Sequence, residues 1–474
     1  MPVAHSFSVY THYICMKRYF IALTAAFFVF FSLSLCSCSS FDPTFPEISE
    51  NYEDLASKAT ITEISDGKYL IDFKKSATFN RLVLREKSDG VISFSLSLPS
   101  SPSPFYGNDF IGSYRYCSFS AVTTDKLLLS VTCENDVSFL RPEAYYIPSS
   151  PLSPFSVTSY ITAKAAFFLT DKNKNPSDVF DIIYSAYLDK DGNVRFPAYY
   201  IDGEKISGET VLSSGIANIR AAYPRARILV TVLGDREFDN DSLTVQQRHS
   251  SAFSNKEVLT ASLLDLLSEF GLDGISFDYE YPVSKSDYSL FTDFCAYFDA
   301  FLPENKLFTA AVSAWCVDRS RLSADSLSCF DRVTLMAYDD PDTRGCHSTF
   351  YSAYSQLMRL KKQGVPLSRI SLGLPLYSKP LDGSSSVLSY ADYADSLPLF
   401  DNVTYADCDG QSKACYFNGR QLVTDKTSLA QDIGLAGVSV WHYSLDSSDP
   451  ALSLLSTADR ARSRRATADQ AELA

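Results

Sequence analysis

Eight short runs rich in apolar, β-branched and aromatic residues recur in the second two-thirds of the chain, and several are separated by stretches of helical character. The runs are KAAFFL (164–169), DIIYSAYL (181–188), ARILVTVLG (226–234), DGISFDYEY (273–281), LFTAAVSAW (307–315), RVTLMAYD (332–339), ISLGLPLY (370–377) and GVSVWHY (437–443). Between them lie VLSSGIANIRAAY (211–223), EVLTASLLDLLSEF (257–270), YSLFTDFCAYFDAF (288–301) and TFYSAYSQLMRLKKQG (349–364). Strand then helix, repeated over about 280 residues, predicts an α/β fold of the (β/α)8 TIM-barrel type. A doubly wound open sheet is the alternative, but it rarely needs eight parallel strands. In a barrel the chemistry gathers at the C-terminal strand ends, so those ends are where functional residues are sought.

The texture upstream is different. KYLIDF, RLVLRE, VISFSLSL and KLLLSVTC alternate with period two and are separated by turn residues. That pattern predicts a small all-β, sandwich-like domain. SSPSP (100–104) then reads as a loop and PSSPLSP (148–154) as a linker. The expected division is a signal segment at 1–37, a β domain at 38–150, a barrel at 151–456 and a polar tail at 457–474. The β domain is either a spacer or a glycan-docking module. It has no tryptophan, but Tyr106, Tyr114, Tyr116, Tyr145 and Tyr146 are available as stacking faces. With 42 basic and 56 acidic residues the net charge is -14, which repels phosphate backbones and sets nucleic acid aside as a partner.

Lys17 and Arg18 precede an uncharged apolar run at 19–35, the pattern of an export signal starting at Met16. The run ends in LCSC, which resembles the bacterial lipobox. Cys38, preceded by the small Ser37, is the expected lipid-attachment residue. An uncleaved anchor helix is the alternative. The lipoprotein reading predicts an exported protein of the bacterial cell envelope, held to the membrane through its N-terminal lipid. Eight cysteines beyond Cys38 make disulfides possible in that compartment, without fixing their pairing. No cofactor is expected, and no metal, because the cysteines and histidines lack ligand spacing. DKDGN (189–193) resembles part of a calcium loop but lacks the closing glutamate, so a turn after strand two is expected.

Strand four carries the densest chemistry. Along DGISFDYEYP (273–282), Ser276, Asp278 and Glu280 alternate and therefore share one face. Facing inward at a strand tip, a glutamate in apolar surroundings has a raised pKa and suits a general acid.

This segment resembles the DGxDxDxE signature of family 18 glycoside hydrolases, the chitinases and endo-β-N-acetylglucosaminidases. LMAYD (335–339), LGLPLY (372–377), GVSVW (437–441) and FNG (417–419) are similar to further segments of that family, in the family's order. The resemblance implies hydrolysis without a second carboxylate as nucleophile: the substrate's own 2-acetamido oxygen attacks the anomeric carbon. It implies Glu280 as proton donor, Asp278 as partner of the acetamido N–H, and Tyr338 as hydrogen-bond donor to the attacking carbonyl. Trp441 is implied as the floor of the sugar site, with Asp339, Tyr377 and Ser276 as further substrate contacts. Position 276 departs from the pattern, because most chitinases carry aspartate where this chain has serine.

The implied partner is an N-acetylglucosamine-containing glycan: a chitooligosaccharide, an N-glycan core or peptidoglycan. With only Trp315 and Trp441 in the chain, stacking platforms are few, which favours a short or branched glycan over crystalline chitin. A non-catalytic glycan-binding lipoprotein on the same barrel is the competing reading. Such relatives usually lose the glutamate that Glu280 retains.

Overall fold

Eight parallel strands form the centre of the computed structural model: Ser156–Thr162, Val179–Leu188, Arg227–Leu233, Gly274–Asp278, Leu307–Val312, Arg332–Leu335, Ile370–Pro375 and Gly437–Trp441. Each pairs with the next, and the eighth pairs with the first, so the sheet closes into the expected barrel. The structure describes Ile48 and residues 50–148, 154–170, 175–233, 243–280, 282–318 and 320–471. Cys38, the run at 19–35 and most of the linker at 148–154 lie outside the described residues. Residues 1–50 and 51–474 form two compact units, and among the described residues every strand and helix belongs to the second.

Seven of the eight predicted runs fall on their strands, but the first does not. Residues Ala163–Phe167 of KAAFFL form a short helix, capped by Thr162, whose hydroxyl accepts from the Ala165 amide. Barrel strand one is the preceding SVTSYIT. Its inward residues are the hydroxyl-bearing Ser156, Thr158 and Tyr160, so apolar content pointed to the wrong neighbour. The helices follow the predicted stretches, and their ends are chemically marked. The helix Lys285–Asp299 starts with a capping box between Ser284 and Asp287. The helix Lys256–Glu269 ends at Gly271, where φ is +59°, and Leu272 N bonds back to Leu267 O at 3.0 Å. That left-handed stop turns the chain directly into strand four. DKDGN is a turn, closed by Asp189, which accepts from the Asp191 and Asn193 amides.

Between strands seven and eight, four short strands form a small antiparallel sheet. Upstream, the all-β region is one six-stranded antiparallel sheet rather than two facing sheets. Its long strands, Lys68–Leu84 and Arg115–Cys133, pass through two register breaks and bend over a core that includes Phe73, Phe79, Leu82 and Leu129. SSPSP is not a loop: Ser101–Asp109 is a strand paired only to Val91–Leu98. At a sheet edge a proline removes no ladder bond, which is why Pro102 and Pro104 are tolerated. The expected polar tail also begins inside a helix, Leu454–Ala471, which buries Leu454, Leu455, Ala458 and Ala461 at helical spacing. All eight cysteines in the described region are free thiols, with Cys408 and Cys415 Sγ atoms 3.9 Å apart.

The sheet's buried polar contacts with the barrel centre on one helix, Arg420–Asp432. Asp425, fully buried, accepts from Tyr106 Oη at 2.7 Å, Asn108 Nδ2 at 3.0 Å, Arg115 Nη2 at 2.9 Å and the Ser118 amide at 2.9 Å. Asp432, two turns along the same face, accepts from Arg81 Nε at 2.8 Å and Tyr116 Oη at 2.5 Å. Burial raises the Asp425 pKa despite the opposing pull of Arg115. Removing one partner of such a pair leaves the other charge buried and alone, which costs about 3–5 kcal/mol. Asp425→Ala is therefore expected to lower the unfolding free energy by about that amount. Urea denaturation followed by circular dichroism measures it. A loss below about 1 kcal/mol, the size of an exposed ion pair, would show that the sheet is not held by this cluster.

Candidate active site

Strand four is buried along its whole length, and Ser276 and Asp278 point into the barrel. Tyr279 points the other way, stacked on His249 with centroids 4.7 Å apart and wedged against Phe253 and Phe291. That aromatic clamp fixes the alternation, so that Glu280, just beyond the strand, is exposed at the mouth. A buried carboxyl thus stands two residues below an exposed one on the same strand.

Strand six brings Tyr338 to the same mouth. Its ring is buried, and burial holds the phenol pKa well above its ordinary value, with Tyr377, Tyr160, Asp278 and Glu280 adding to the shift. Tyr338 is therefore protonated at any physiological pH, a standing hydrogen-bond donor beside both carboxyls. Its place depends on strand seven: a Cβ on Gly373 would stand 2.8 Å from the Tyr338 ring and 2.5 Å from Leu335 O. Glycine is required there for room. Tyr377 meets Tyr338 edge-on at 6.3 Å and donates to Asp339 Oδ1 at 2.5 Å. Asp339, in a left-handed conformation with φ of +71°, is also paired with Lys379 at 2.7 Å. Trp441 ends strand eight, half-buried, packed against the cluster of Met336, Tyr338 and Tyr377 and against the Tyr160 ring at 5.5 Å.

The structure thus brings Glu280, Asp278, Ser276, Tyr338, Asp339, Tyr377 and Trp441 to one end of the barrel; Cys38 lies outside the described residues. An exposed carboxyl above a buried one, a protonated phenol and an aromatic wall suit acid–base work on a polar ligand with an apolar face. Reading from sequence missed Tyr160 and Tyr184, which line the Trp441 ring from strands one and two. It also missed Thr231 and Asp181, bonded to each other below the mouth. Tyr160 was hidden by the misplacement of strand one. Asp181 was visible only as the first letter of an otherwise apolar run.

The family model for glycosyl hydrolases family 18 matches residues 157–446. Among solved structures, the chitinase ChiB of Flavobacterium johnsoniae is similar at 20% identity and a TM-score of 0.51, over 65% of this chain and 94% of that one. A class V chitinase mutant from Cycas revoluta in complex with (GlcNAc)3 is similar at 18% identity and a TM-score of 0.53, over 65% and 99%. A chitinase-like agglutinin from Robinia pseudoacacia is similar at 18% and 0.51, over 64% and 99%. At these identities the structural likenesses speak for the barrel fold alone, while the family match spans strand one through the residues after strand eight, the whole site included. The chain belongs to family 18 of the glycosyl hydrolases.

Proposed function

We propose that this glycoside hydrolase cleaves β-1,4 bonds next to N-acetylglucosamine by substrate-assisted retaining catalysis, as an endo-β-N-acetylglucosaminidase or chitinase-like enzyme. The observation that carries the reading is the vertical pair on strand four, Glu280 exposed above buried Asp278, with the protonated Tyr338 beside both. Glu280 can reach the leaving oxygen from solvent, give its proton, and later take one from water. Asp278 then binds the acetamido N–H and faces the positive charge of the oxazolinium-like intermediate. Tyr338 donates to the acetamide carbonyl oxygen as it attacks. Trp441 receives the sugar face and the N-acetyl methyl group. Asp339 holds Tyr377 at the rim. The (GlcNAc)3 bound by the Cycas revoluta relative is the ligand class that this arrangement suits. With Trp315 removed from the Trp441 cluster and covered by Arg321, the groove offers few aromatic platforms, which favours soluble, short or branched glycans. The enzyme works in the bacterial cell envelope, anchored by a lipid on Cys38.

Glu280→Gln keeps shape but cannot give a proton, so turnover is expected to fall by about 10²–10⁴-fold while glycan binding stays within a few-fold. Initial rates and calorimetric titration of one chitooligosaccharide test this, and undiminished turnover would sink the mechanism. A thiazoline mimic of the intermediate is expected to inhibit competitively, binding at least about 10²-fold tighter than substrate. Brisk cleavage of a glycan lacking the 2-acetamido group would point instead to a two-carboxylate enzyme. Cys38→Ala is expected to move the protein from the membrane to the soluble fraction with its specific activity intact; retention in the membrane fraction would mean an uncleaved anchor.

A further inference from the structure

Tyr338 stands beyond the part of strand six that pairs within the barrel. The strand ends at Leu335, and the next backbone bonds run from Met336 N to Val312 O and from Ala337 N to Leu335 O, both at 2.9 Å. Asp339, directly after Tyr338, turns into the left-handed region. Between these points the carbonyl of Ala337 accepts a bond from Ser348 Oγ at 2.7 Å. That oxygen belongs to the same planar peptide unit as the Tyr338 nitrogen, so holding the one orients the other.

Ser348 is in turn held from the helix that precedes strand eight. Lys426, only 1% exposed, donates from Nζ to Ser348 O at 2.6 Å, to Ser348 Oγ at 2.9 Å and to Asn418 Oδ1 at 2.6 Å. Asn418 Nδ2 donates to the same Ser348 carbonyl at 3.2 Å. The ammonium thus has one acceptor for each proton, and all three acceptors are uncharged. Burial pushes the Lys426 pKa well down, with Asp109 pulling the other way. A buried cation without a bonded carboxylate is costly, and a methionine of similar length would fill the space without that cost. Ser348 also sits at φ +53°, a left-handed conformation that a residue with a Cβ adopts only where its surroundings hold it. Lys426 and Asn418 are those surroundings.

We propose that Lys426 is a positioning residue for the reaction: through Ser348 it sets the peptide plane from which the Tyr338 phenol reaches the acetamide carbonyl. The inference rests on the role proposed for Tyr338 in substrate-assisted catalysis. The relay runs from Lys426 Nζ to Ser348 Oγ and from there to Ala337 O, two bonds with no gap between them. A tyrosine hydroxyl lies at the end of a rigid ring, so a tilt of its own backbone is carried outward to the donor. A displaced donor is felt most when the carbonyl oxygen attacks, because that is when its bond strengthens. Lys426 follows Asp425 in the chain, and the two point about 100° apart around the helix. One residue grips the N-terminal sheet and the next grips the segment that carries Tyr338.

The test is a double-mutant cycle between Lys426→Met and Tyr338→Phe, read as kcat and KM on one chitooligosaccharide. Lys426→Met is expected to lower kcat by about 10–10²-fold, the scale of a small misplacement, with KM within a few-fold. Inhibition by the thiazoline mimic should weaken by a similar factor. Tyr338→Phe removes the donor itself and is expected to lower kcat by about 10²–10³-fold. The double variant should then be no more than about twofold slower than Tyr338→Phe alone, because nothing is left to position. Ser348→Gly deletes only the hydroxyl of the relay and suits the left-handed backbone, so it should reproduce the loss and its dependence on Tyr338. It carries the test if Lys426→Met does not fold. The same fold-loss in both backgrounds would mean general damage to the barrel and would overturn the proposal, as would a parent-like kcat in Ser348→Gly. If Tyr338→Phe is slow while Lys426→Met keeps the parent rate, the reaction stands and only this inference falls. If Tyr338→Phe itself turns over freely, the proposed reaction is wrong and the inference falls with it.

Discussion

Closure of the eight-stranded sheet is the constraint on which the rest depends. With strand eight paired to strand one there is no free edge, and every strand must send alternate side chains inward. In this barrel the inward positions are occupied by threonine, serine, tyrosine and aspartate more than by aliphatic residues. Polar groups in so enclosed a place have to satisfy one another, which is what the contacts from Tyr160 through Thr334 and Ser439 to Ser371 achieve. The same alternation that builds this interior places Asp278 at its upper end and Glu280 just outside it. The site is the open end of the core, and the ionisation of one cannot be separated from the composition of the other.

The N-terminal sheet lies outside the family match, yet it holds a part of the barrel that serves the site. Its Arg81, Tyr106, Arg115 and Tyr116 converge on two carboxylates of the helix Arg420–Asp432. That helix leads directly into strand eight, whose last residue is Trp441. Buried ion pairs contribute little net stability compared with apolar packing, but they allow only one register between the surfaces they join. A sliding sheet would take Arg115, 1% exposed, away from Asp425 and leave it only the longer pairing with Asp109. The sheet therefore restrains from outside the segment that carries Trp441, the aromatic wall of the proposed sugar site. Further stacking of Tyr114 on Tyr354, 4.1 Å apart, extends the same contact to the helix after strand six.

The site itself shows how a small residue can decide the position of a large one. Tyr338 occupies space that a side chain at position 373 would need, and Tyr377 is aimed by its bond to Asp339. Three consecutive strands thus contribute one arrangement: strand six the phenol and the rim carboxylate, strand seven the room and the second tyrosine, strand eight the indole. Each of these groups stands within a few residues of a strand's C-terminal end, so its position is set chiefly by the barrel.

Period-two and period-3.6 patterns are local, and what depends on them was legible in the sequence: seven of the barrel strands, the helices between them, the shared face of Ser276, Asp278 and Glu280, and the all-β character of the upstream region. Strand one was misread because its inward face is made of hydroxyls, so the apolar KAAFF drew the assignment although Thr162 caps it into a helix. The helix Arg420–Asp432 reads as polar in RQLVTDKTSLAQD, yet it is buried nearly all round, because a sheet encoded some 300 residues earlier covers it. Likewise no local pattern relates Asp181 to Thr231 and Ser276. Barrel closure brings three separate strand positions into one layered interior, and only there does the buried carboxyl on strand two acquire neighbours and a shifted pKa. Sequence by itself determined which residues could do the chemistry, because strand alternation is a property of adjacent residues. Tertiary structure alone decided which groups tune them, because that depends on burial and on charges brought together across the barrel.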